Sequence, residues 1–188
     1  ARKLNLDNEE RLLGNGVYYC AICDGPFFAG KDVVLVGDGN SAIQYALMLA
    51  GYCSKVTMVT MFDKFFGEKV LEDAIRVNDK IEIIPNAVAS KLVGEDKLTA
   101  VEFTDNEGKK FTIDTNALFV AIGQIPDNGK FSNLVDLDKA GYIVANETCH
   151  TKSKGVFVAG DCRVQGIRQV ATAIGDGAGA GGGAGAYV

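Results

Sequence analysis

The sequence predicts an α/β protein with a three-layer fold and a small antiparallel β-ribbon. Three short apolar runs, residues 33–37, 117–123 and 155–161, contain or end in glycine and are typical of buried parallel strands. Between the first two runs, the pattern changes from helical spacing to the alternation of an antiparallel ribbon. Together these observations favour a parallel sheet covered by further layers.

Composition limits the class of protein. The chain has 188 residues, 47% hydrophobic and 23% charged, which is enough for one core, or for a domain and part of another. This excludes global disorder. A net charge of −5 without any Lys/Arg cluster excludes a nucleic-acid-binding footprint. No apolar run is long enough to span a membrane and no secretion signal is visible, so we expect a soluble, cytoplasmic protein without a membrane partner.

The first apolar run opens a βαβ unit. Residues 33–36 predict a strand, apolar residues recur at helical spacing over 43–50, and residues 55–60 predict the next strand. A G-x-G-x-x-A turn joins the first strand to the helix through Gly37, Gly39, Asn40, Ser41 and Ala42. Glycines allow a tight turn, and the helix N-terminus can face a pyrophosphate. The unit therefore predicts a Rossmann-like nucleotide-binding fold.

Further strands follow the βαβ unit. Residues 81–84 predict one strand of the parallel sheet. Residues 97–104 and 110–114 predict the antiparallel β-ribbon, with its turn at residues 106–108.

The sequence Pro-Asp-Asn-Gly at residues 126–129 interrupts the regular pattern. It predicts a boundary between two domains, residues 1–124 and 125–188. A helix is expected from about Gln169. Residues 177–186 contain six glycines, each of which costs a helix about 1 kcal/mol relative to alanine. One interpretation of this stretch is a flexible tail. The other is that the helical pattern of residues 171–174 continues and that glycine and alanine here stand in for other side chains.

Five cysteines are present, and two of them form the pair Cys20-Ala21-Ile22-Cys23. A zinc site needs more ligands, but there is no second C-x-x-C and the only histidine, His150, is distant in sequence. A redox pair fits better, since this spacing brings two sulfurs within bonding distance and a helix N-terminus would stabilise a thiolate. Asp24 directly follows and could exchange a proton with a leaving thiolate. The other cysteines are interpreted as ordinary buried residues: Cys53, Cys149 and Cys162.

Five motifs in order carry a family resemblance. They are C-A-I-C-D-G, G-D-G-N-S-A, A-I-G, G-V-F-V-A-G-D and R-Q-V-A-T-A, and they lie between Gly16 and Gly177. This series closely resembles low-molecular-weight thioredoxin reductases. The resemblance implies a central pyridine-nucleotide-type domain at residues 1–124 and the C-terminal part of an FAD-binding domain at 125–188. The FAD domain would be incomplete here, because its N-terminal segment would precede this chain.

The resemblance also implies roles for individual residues. Cys20 would attack the disulfide of thioredoxin, Cys23 would face the flavin, and Asp24 would donate a proton. The FAD cofactor would contact a further set of residues: Gly160, Asp161, Arg168, Gln169 and Val170. Backbone amides and a guanidinium there would stabilise the reduced, anionic flavin. The family resemblance further implies a homodimer, whereas the spacing of the cysteines and the histidine predicts no metal site.

The sequence departs from the family after its second strand. Members that use NADPH carry H-R-R-x-x-x-R there, and arginines grip the 2′-phosphate. The arginine positions are occupied here by Met61, Phe62 and Phe66. No Asp or Glu ends this strand to bind an NAD ribose. Methionine and phenylalanine cannot replace a bidentate arginine clamp, so NADPH use is doubtful.

This loss resembles ferredoxin-dependent flavin thioredoxin reductases, which implies ferredoxin as the electron donor. In an alternative interpretation, Lys64 or Lys69 contacts the 2′-phosphate, and NADPH is the electron donor. A different thiol protein could also replace thioredoxin as the partner. The remaining alternative is a protein of another class, a non-catalytic module that binds a nucleotide or zinc.

Overall fold

The computed structural model describes residues 1–168 and 170–188, so Gln169 lies outside the described residues. The chain divides into two compact units, Ala1–Gln124 and Ile125–Val188. The interpretation of these units as a pyridine-nucleotide-type domain and part of an FAD domain stays a prediction. No described helix is both long and apolar enough to cross a membrane.

The elements follow in chain order. The strands are β1 (Val17–Tyr18), β2 (Asp32–Val36), β3 (Lys55–Val59), β4 (Ile81–Ile84), β5 (Ala87–Val93), β6 (Ala100–Asp105), β7 (Lys110–Asp114) and β8 (Leu118–Val120). The α-helices are α1 (Glu9–Leu12), α2 (Ala21–Asp24), α3 (Asn40–Ala50), α4 (Lys69–Arg76) and α5 (Val170–Tyr187). Short 3₁₀ helices span Gly25–Phe28 and Gly129–Phe131.

The first unit contains the predicted parallel sheet, in the order β1-β8-β2-β3-β4. The predicted βαβ unit is confirmed, since β2 pairs in parallel with β3 from Asp32↔Lys55 to Val36↔Val59 and α3 connects them. Both strands are buried after their first residue, because each face of the sheet is covered. Strands that are apolar on both faces need a covering layer on each side.

Those covering layers differ on the two faces. One face packs on the helices, with Leu35 and Met58 of the sheet in one buried cluster with Ile43 of α3 and Ile75 of α4. The other face packs on the antiparallel sheet, whose residue Phe103 belongs to a second buried cluster with several β-branched residues of the parallel strands. The three layers are therefore helix, parallel sheet and antiparallel sheet, which confirms the predicted fold class.

The antiparallel sheet has one strand more than the sequence predicted. The predicted ribbon is present as β6 and β7, but β5 pairs along the other side of β6. The register shifts between Ala89 and Lys91, where the regular pairing is interrupted. A shift of this kind breaks the alternation of buried and exposed residues, which is why the pattern of β5 did not predict a strand.

The second unit corrects two predictions. The strand expected at residues 155–161 is wrong, because only Phe157 forms a β-bridge there, to His150. An apolar run becomes a strand only when a partner segment continues the hydrogen-bonded ladder, and these bridges are isolated. The small core of this unit contains Val135, Ile143 and Val158.

Of the two interpretations of residues 177–186, the flexible tail is wrong, since α5 continues through them to Tyr187. Its glycines allow close packing. A Cβ on Gly183 would lie 2.8 Å from Phe157 and 3.0 Å from His150. Packing against the rest of the unit therefore outweighs the low helix propensity of glycine.

Candidate functional site

The redox pair lies at the start of α2. Cys20 and Cys23 form a disulfide with a Cα–Cα distance of 5.3 Å. Cys20 is the N-cap residue in an extended conformation, and its Sγ accepts a hydrogen bond from the Cys23 amide at 3.2 Å. One helical turn brings residues three apart onto the same face, so the C-x-x-C spacing itself places the sulfurs together. Cys23 is exposed and Cys20 half-buried.

The base under this pair is closely packed. Ala21 is fully buried, and a Cβ on Gly25 would come within 2.9 Å of Leu49. Tyr18, Phe28 and Phe119 pack against one another with ring centroids 5.3–5.8 Å apart. The disulfide therefore lies on a closely packed element and faces solvent at Cys23.

Asp24 is the last residue of α2 and is half-buried. Burial raises the pKa of Tyr18, and the negative charge of Asp24 raises it further. The carboxylate thus lies near the phenol and one residue after Cys23. Nothing in the structure tests its predicted role as proton donor, which stays a prediction.

Exposed apolar side chains flank the disulfide. Ile22 lies between the two cysteines and is 65% exposed, and Phe27 is 77% exposed. These two side chains give apolar surface close in sequence to the disulfide.

The glycine turn has the geometry that its sequence predicts. Gly37 has φ 141°, and a Cβ there would lie 2.9 Å from both the Ala121 carbonyl carbon and the Ala42 side chain. Gly39 caps α3, and a Cβ there would meet nothing within 4 Å. The space beside Gly39 is therefore open to a ligand, although Gly67 lies close to Asn40 in the first turn of α3.

The other turn residues have separate surroundings. Asn40 accepts a hydrogen bond from the Glu68 amide at 3.1 Å, which fixes the loop after β3. Ser41 is exposed, whereas Ala42 is fully buried. Ala42 belongs to the buried cluster between the helices and the sheet, and its predicted contact with a cofactor stays a prediction.

A cavity of about 320 Å³ opens beside this turn. Its walls come from the ends of β2 and β3 and from residues near both ends of the first unit. Most lining residues are apolar, including Met61, Phe62 and Ile122, and the charged ones are Arg2 and Asp38. Sequence reasoning missed Asp38, although it stands between the two glycines of the motif.

The residues at the arginine positions of the family are exposed. Met61, Phe62 and Phe66 are 57%, 44% and 54% exposed. The rings of Phe62 and Phe66 lie 5.5 Å apart, and the Lys64 ammonium lies 5.2 Å from the Phe66 ring. Lys69 pairs with Asp73 at 2.5 Å. Neither lysine is among the residues that line the cavity.

The predicted FAD residues lie in the second unit. Gly160 has φ 84°, and its amide donates to Asp176 at 3.0 Å. The Asp161 carboxylate is exposed and makes no hydrogen bond to the described part of the chain. The Arg168 guanidinium lies 3.9 Å from the Tyr142 ring centroid.

These side chains fit part of a flavin cofactor. Asp161, Arg168, Val170 and Ala173 line a cavity of about 290 Å³. A free carboxylate can accept from a ribityl hydroxyl, and a guanidinium can lie beside an anionic ring. Gln169, also predicted to contact FAD, lies outside the described residues.

A buried ion pair supports the Gly160 turn. Arg163 binds Asp176 through two hydrogen bonds, of 2.6 and 2.7 Å, and their side chains are 14% and 9% exposed. Hydrogen bonding to Arg163 lowers the pKa of Asp176. Sequence reasoning missed this pair. The available signal was that Asp176 is the one charged residue in the sequence of α5.

The structure gives no support to a zinc site. Within residues 1–168 and 170–188, no three His, Cys, Asp or Glu side chains are grouped as metal ligands. Cys20 and Cys23 are joined to each other in a disulfide. Of the remaining thiols, Cys53 and Cys149 are buried as predicted, and Cys162 is half-buried.

Comparison with known families identifies the class. Residues 1–177 match the family described as pyridine nucleotide-disulphide oxidoreductase. The chain belongs to this family. It is 38% identical to a thioredoxin reductase of Listeria monocytogenes over 189 residues, which covers all of this chain and 59% of that protein. It is also 36% identical to a thioredoxin reductase of Bacillus subtilis over 191 residues, of which it covers 60%. The chain therefore spans less than two thirds of the length of these relatives.

Solved structures agree with this membership. The thioredoxin reductase of Lactococcus lactis matches the whole chain with a TM-score of 0.87 at 32% identity, and the chain covers 62% of it. A ferredoxin-flavin thioredoxin reductase from Clostridium acetobutylicum matches with a TM-score of 0.52 at 26% identity, and the chain covers 58% of it. The resemblance to thioredoxin reductases that the motifs indicated is confirmed.

Proposed function

We propose that the protein reduces the disulfide of thioredoxin, with FAD as its cofactor and Cys20 and Cys23 as its redox pair. The observation that carries the proposal is the Cys20–Cys23 disulfide, presented to solvent at the start of α2 on a closely packed base. Thioredoxin reductases among the relatives support the choice of partner. The exposed Ile22 and Phe27 provide apolar surface for a protein partner beside the sulfurs.

The residues of the second unit that fit FAD are Asp161 and Arg168. Bound FAD would supply the electron pair that opens the disulfide to two thiols. The Cys23 amide donates toward the Cys20 sulfur, and this contact favours the thiolate of Cys20. Cys20 is therefore our choice for the attacking residue.

The exchange then needs only groups of this chain and the partner. The Cys20 thiolate attacks one sulfur of the thioredoxin disulfide, which breaks the bond between the two partner sulfurs and forms a mixed disulfide. Asp24 protonates the thiolate that leaves. The Cys23 thiolate next attacks Cys20, which re-forms the Cys20–Cys23 bond and releases thioredoxin with both sulfurs reduced. The electron pair moves from the protein dithiol to the partner.

Single cysteine variants test this scheme in the full-length, FAD-loaded protein. Cys20→Ser should abolish thioredoxin reduction, and Cys23→Ser should stop after the mixed disulfide, which accumulates and is detected by mass spectrometry. Cys53→Ser is the matched control, since its hydroxyl can keep the hydrogen bond to the Phe28 carbonyl. Thioredoxin reduction by Cys20→Ser at the rate of the unchanged protein would refute the assignment.

We further propose that ferredoxin, rather than NADPH, is the electron donor. Met61, Phe62 and Phe66 replace the arginines that hold the 2′-phosphate, and Lys64 and Lys69 contact other side chains. The match to a ferredoxin-flavin thioredoxin reductase supports this choice. A specific observation favours the alternative as well, because the glycine turn and the N-terminus of α3 are retained.

Flavin bleaching separates these donors. Reduced ferredoxin, NADPH and NADH would be added separately, without oxygen, to the full-length protein loaded with FAD. We expect rapid loss of the oxidised flavin absorbance with ferredoxin and slow or no loss with either nucleotide. Rapid bleaching by NADPH would mean that an ordinary NADPH-dependent enzyme is the correct description.

A further inference from the structure

The glycine turn after β2 carries a negative charge at its centre. Asp38 stands between Gly37 and Gly39 and lines the cavity of about 320 Å³ together with Met61 and Phe62. The residue is half-buried, and its side chain forms no ion pair with any described residue. Burial also raises the pKa of this carboxyl group, because the charged form loses solvation.

A carboxylate at this place opposes the ligand that such a turn normally accepts. Open amides and the helix N-terminus attract a pyrophosphate, which carries negative charges of its own. Repulsion between like charges is strong where solvent is partly excluded and is screened less than at an open surface. The backbone of the turn therefore favours a pyrophosphate, whereas Asp38 disfavours it.

Too little positive charge is present to offset this repulsion. Among the described residues, Arg2 is the one cationic residue that lines the cavity, and it balances only the charge of Asp38. Lys64 lies over the Phe66 ring and Lys69 pairs with Asp73, so both are committed elsewhere. The lining is thus neutral in sum, and a pyrophosphate would bring net negative charge into it.

We propose that Asp38 is a specificity-determining residue that keeps pyrophosphate nucleotides off the glycine turn. This inference deepens the proposed function and rests on it, because it gives a reason why the electron donor is not a nicotinamide nucleotide. It also separates two effects: Met61 and Phe62 remove affinity for the 2′-phosphate, and Asp38 removes affinity for the pyrophosphate that NADH and NADPH share.

The test is nucleotide binding to the full-length protein with its FAD site loaded. Calorimetric titration with NADH, which lacks the 2′-phosphate, should show about tenfold tighter binding to Asp38→Asn than to the unchanged protein. Asp38→Ser should also bind NADH more tightly than the unchanged protein. The matched control is Asp63→Asn, which removes an exposed carboxylate outside the cavity and should change affinity less than about twofold.

Salt dependence distinguishes charge repulsion from a change of shape. The advantage of Asp38→Asn should shrink as ionic strength rises, because ions screen the repulsion in the unchanged protein. Equal or weaker NADH binding by both Asp38 variants, with unchanged thermal midpoints, would overturn the proposal. A gain in NADH affinity that does not change with ionic strength would also overturn the proposal.

Failure of the proposed function would be visible separately. The titration measures nucleotide binding and needs neither thioredoxin nor electron transfer. A protein that fails to reduce thioredoxin, yet binds NADH more tightly after Asp38→Asn, would refute the proposed function and keep the role of Asp38. A protein that reduces thioredoxin, yet binds NADH no more tightly after Asp38→Asn, would keep the proposed function and refute the role of Asp38.

Discussion

The ion pair of Arg163 and Asp176 shows how single residues hold the second unit together. Asp176 accepts two hydrogen bonds from the guanidinium and one from the Gly160 amide. This arrangement joins α5 to the turn that bears Asp161. The position of a predicted cofactor residue thus depends on a carboxylate thirteen residues beyond Arg163.

The same ion pair makes the stability of the second unit depend on pH. The pKa of Asp176 is lower in the folded protein than its usual value near 4, chiefly through hydrogen bonding to Arg163. Its contribution is therefore complete above about pH 4 and is lost as pH falls through the lower, folded-state pKa. We expect the thermal midpoint of the unchanged full-length protein to fall as pH decreases through this acidic range. The midpoint of the Asp176→Asn variant should fall by less over the same range. Hydrogen exchange of the Gly160 amide measures the effect locally, and equal acid sensitivity of the two proteins would contradict it.

Residue-scale predictions from sequence succeeded where chemistry is local. The three-residue spacing of Cys20 and Cys23 predicted a bonded pair, because one helical turn sets the distance between the sulfurs. Asp38 and Asp176 were missed for another reason. Their importance depends on a cavity wall and on a distant guanidinium, and neither is visible in their sequence neighbours.

At the scale of elements, α5 is the clearest conflict between propensity and packing. Glycine lowers helix stability by about 1 kcal/mol per residue, yet the helix is present. Two of its glycines have different surroundings. Gly183 lies against Phe157 and His150, whereas a Cβ on Gly181 would meet nothing within 4 Å.

This difference predicts opposite effects of the same substitution. Gly181→Ala should stabilise the protein by about 0.5–1 kcal/mol, because alanine restricts the unfolded chain and favours helix. Gly183→Ala should destabilise it by about 1–3 kcal/mol, because the added methyl group would overlap two rings. Urea unfolding of the full-length variants gives both values. Equal effects of the two substitutions would show that α5 does not pack closely at Gly183.

Element predictions were accurate where the pattern was regular and the partner strand was certain. Strands β2 and β3 and the helix α3 between them were predicted because apolar runs and helical spacing depend on nearby residues. The strand β5 was missed because its register shifts after Ala89. The run at residues 155–161 was apolar enough for a strand, but pairing with a distant segment decides whether one forms.

At the scale of the whole molecule, the two units differ in how much core they contain. The first unit has apolar clusters on both faces of its parallel sheet, with fifteen and twelve buried residues. The described part of the second unit has a cluster of three buried residues. Burial of apolar surface is the main force that opposes the entropy of the unfolded chain, so this difference sets which unit is stable by itself.

We therefore predict that residues 1–124, prepared as a separate fragment, fold cooperatively. A fragment of this size should unfold in urea with an m-value of about 1–2 kcal/mol per molar. Residues 125–188 should show no cooperative transition, because the apolar cluster of three buried residues in the described part of this unit cannot offset the ordering of 64 residues. Circular dichroism and amide dispersion in NMR spectra measure both fragments. A sharp transition of the shorter fragment would show that contacts beyond this apolar cluster, such as the Arg163–Asp176 ion pair, are enough to fold it. In that case Asp176→Asn in the fragment should remove the transition.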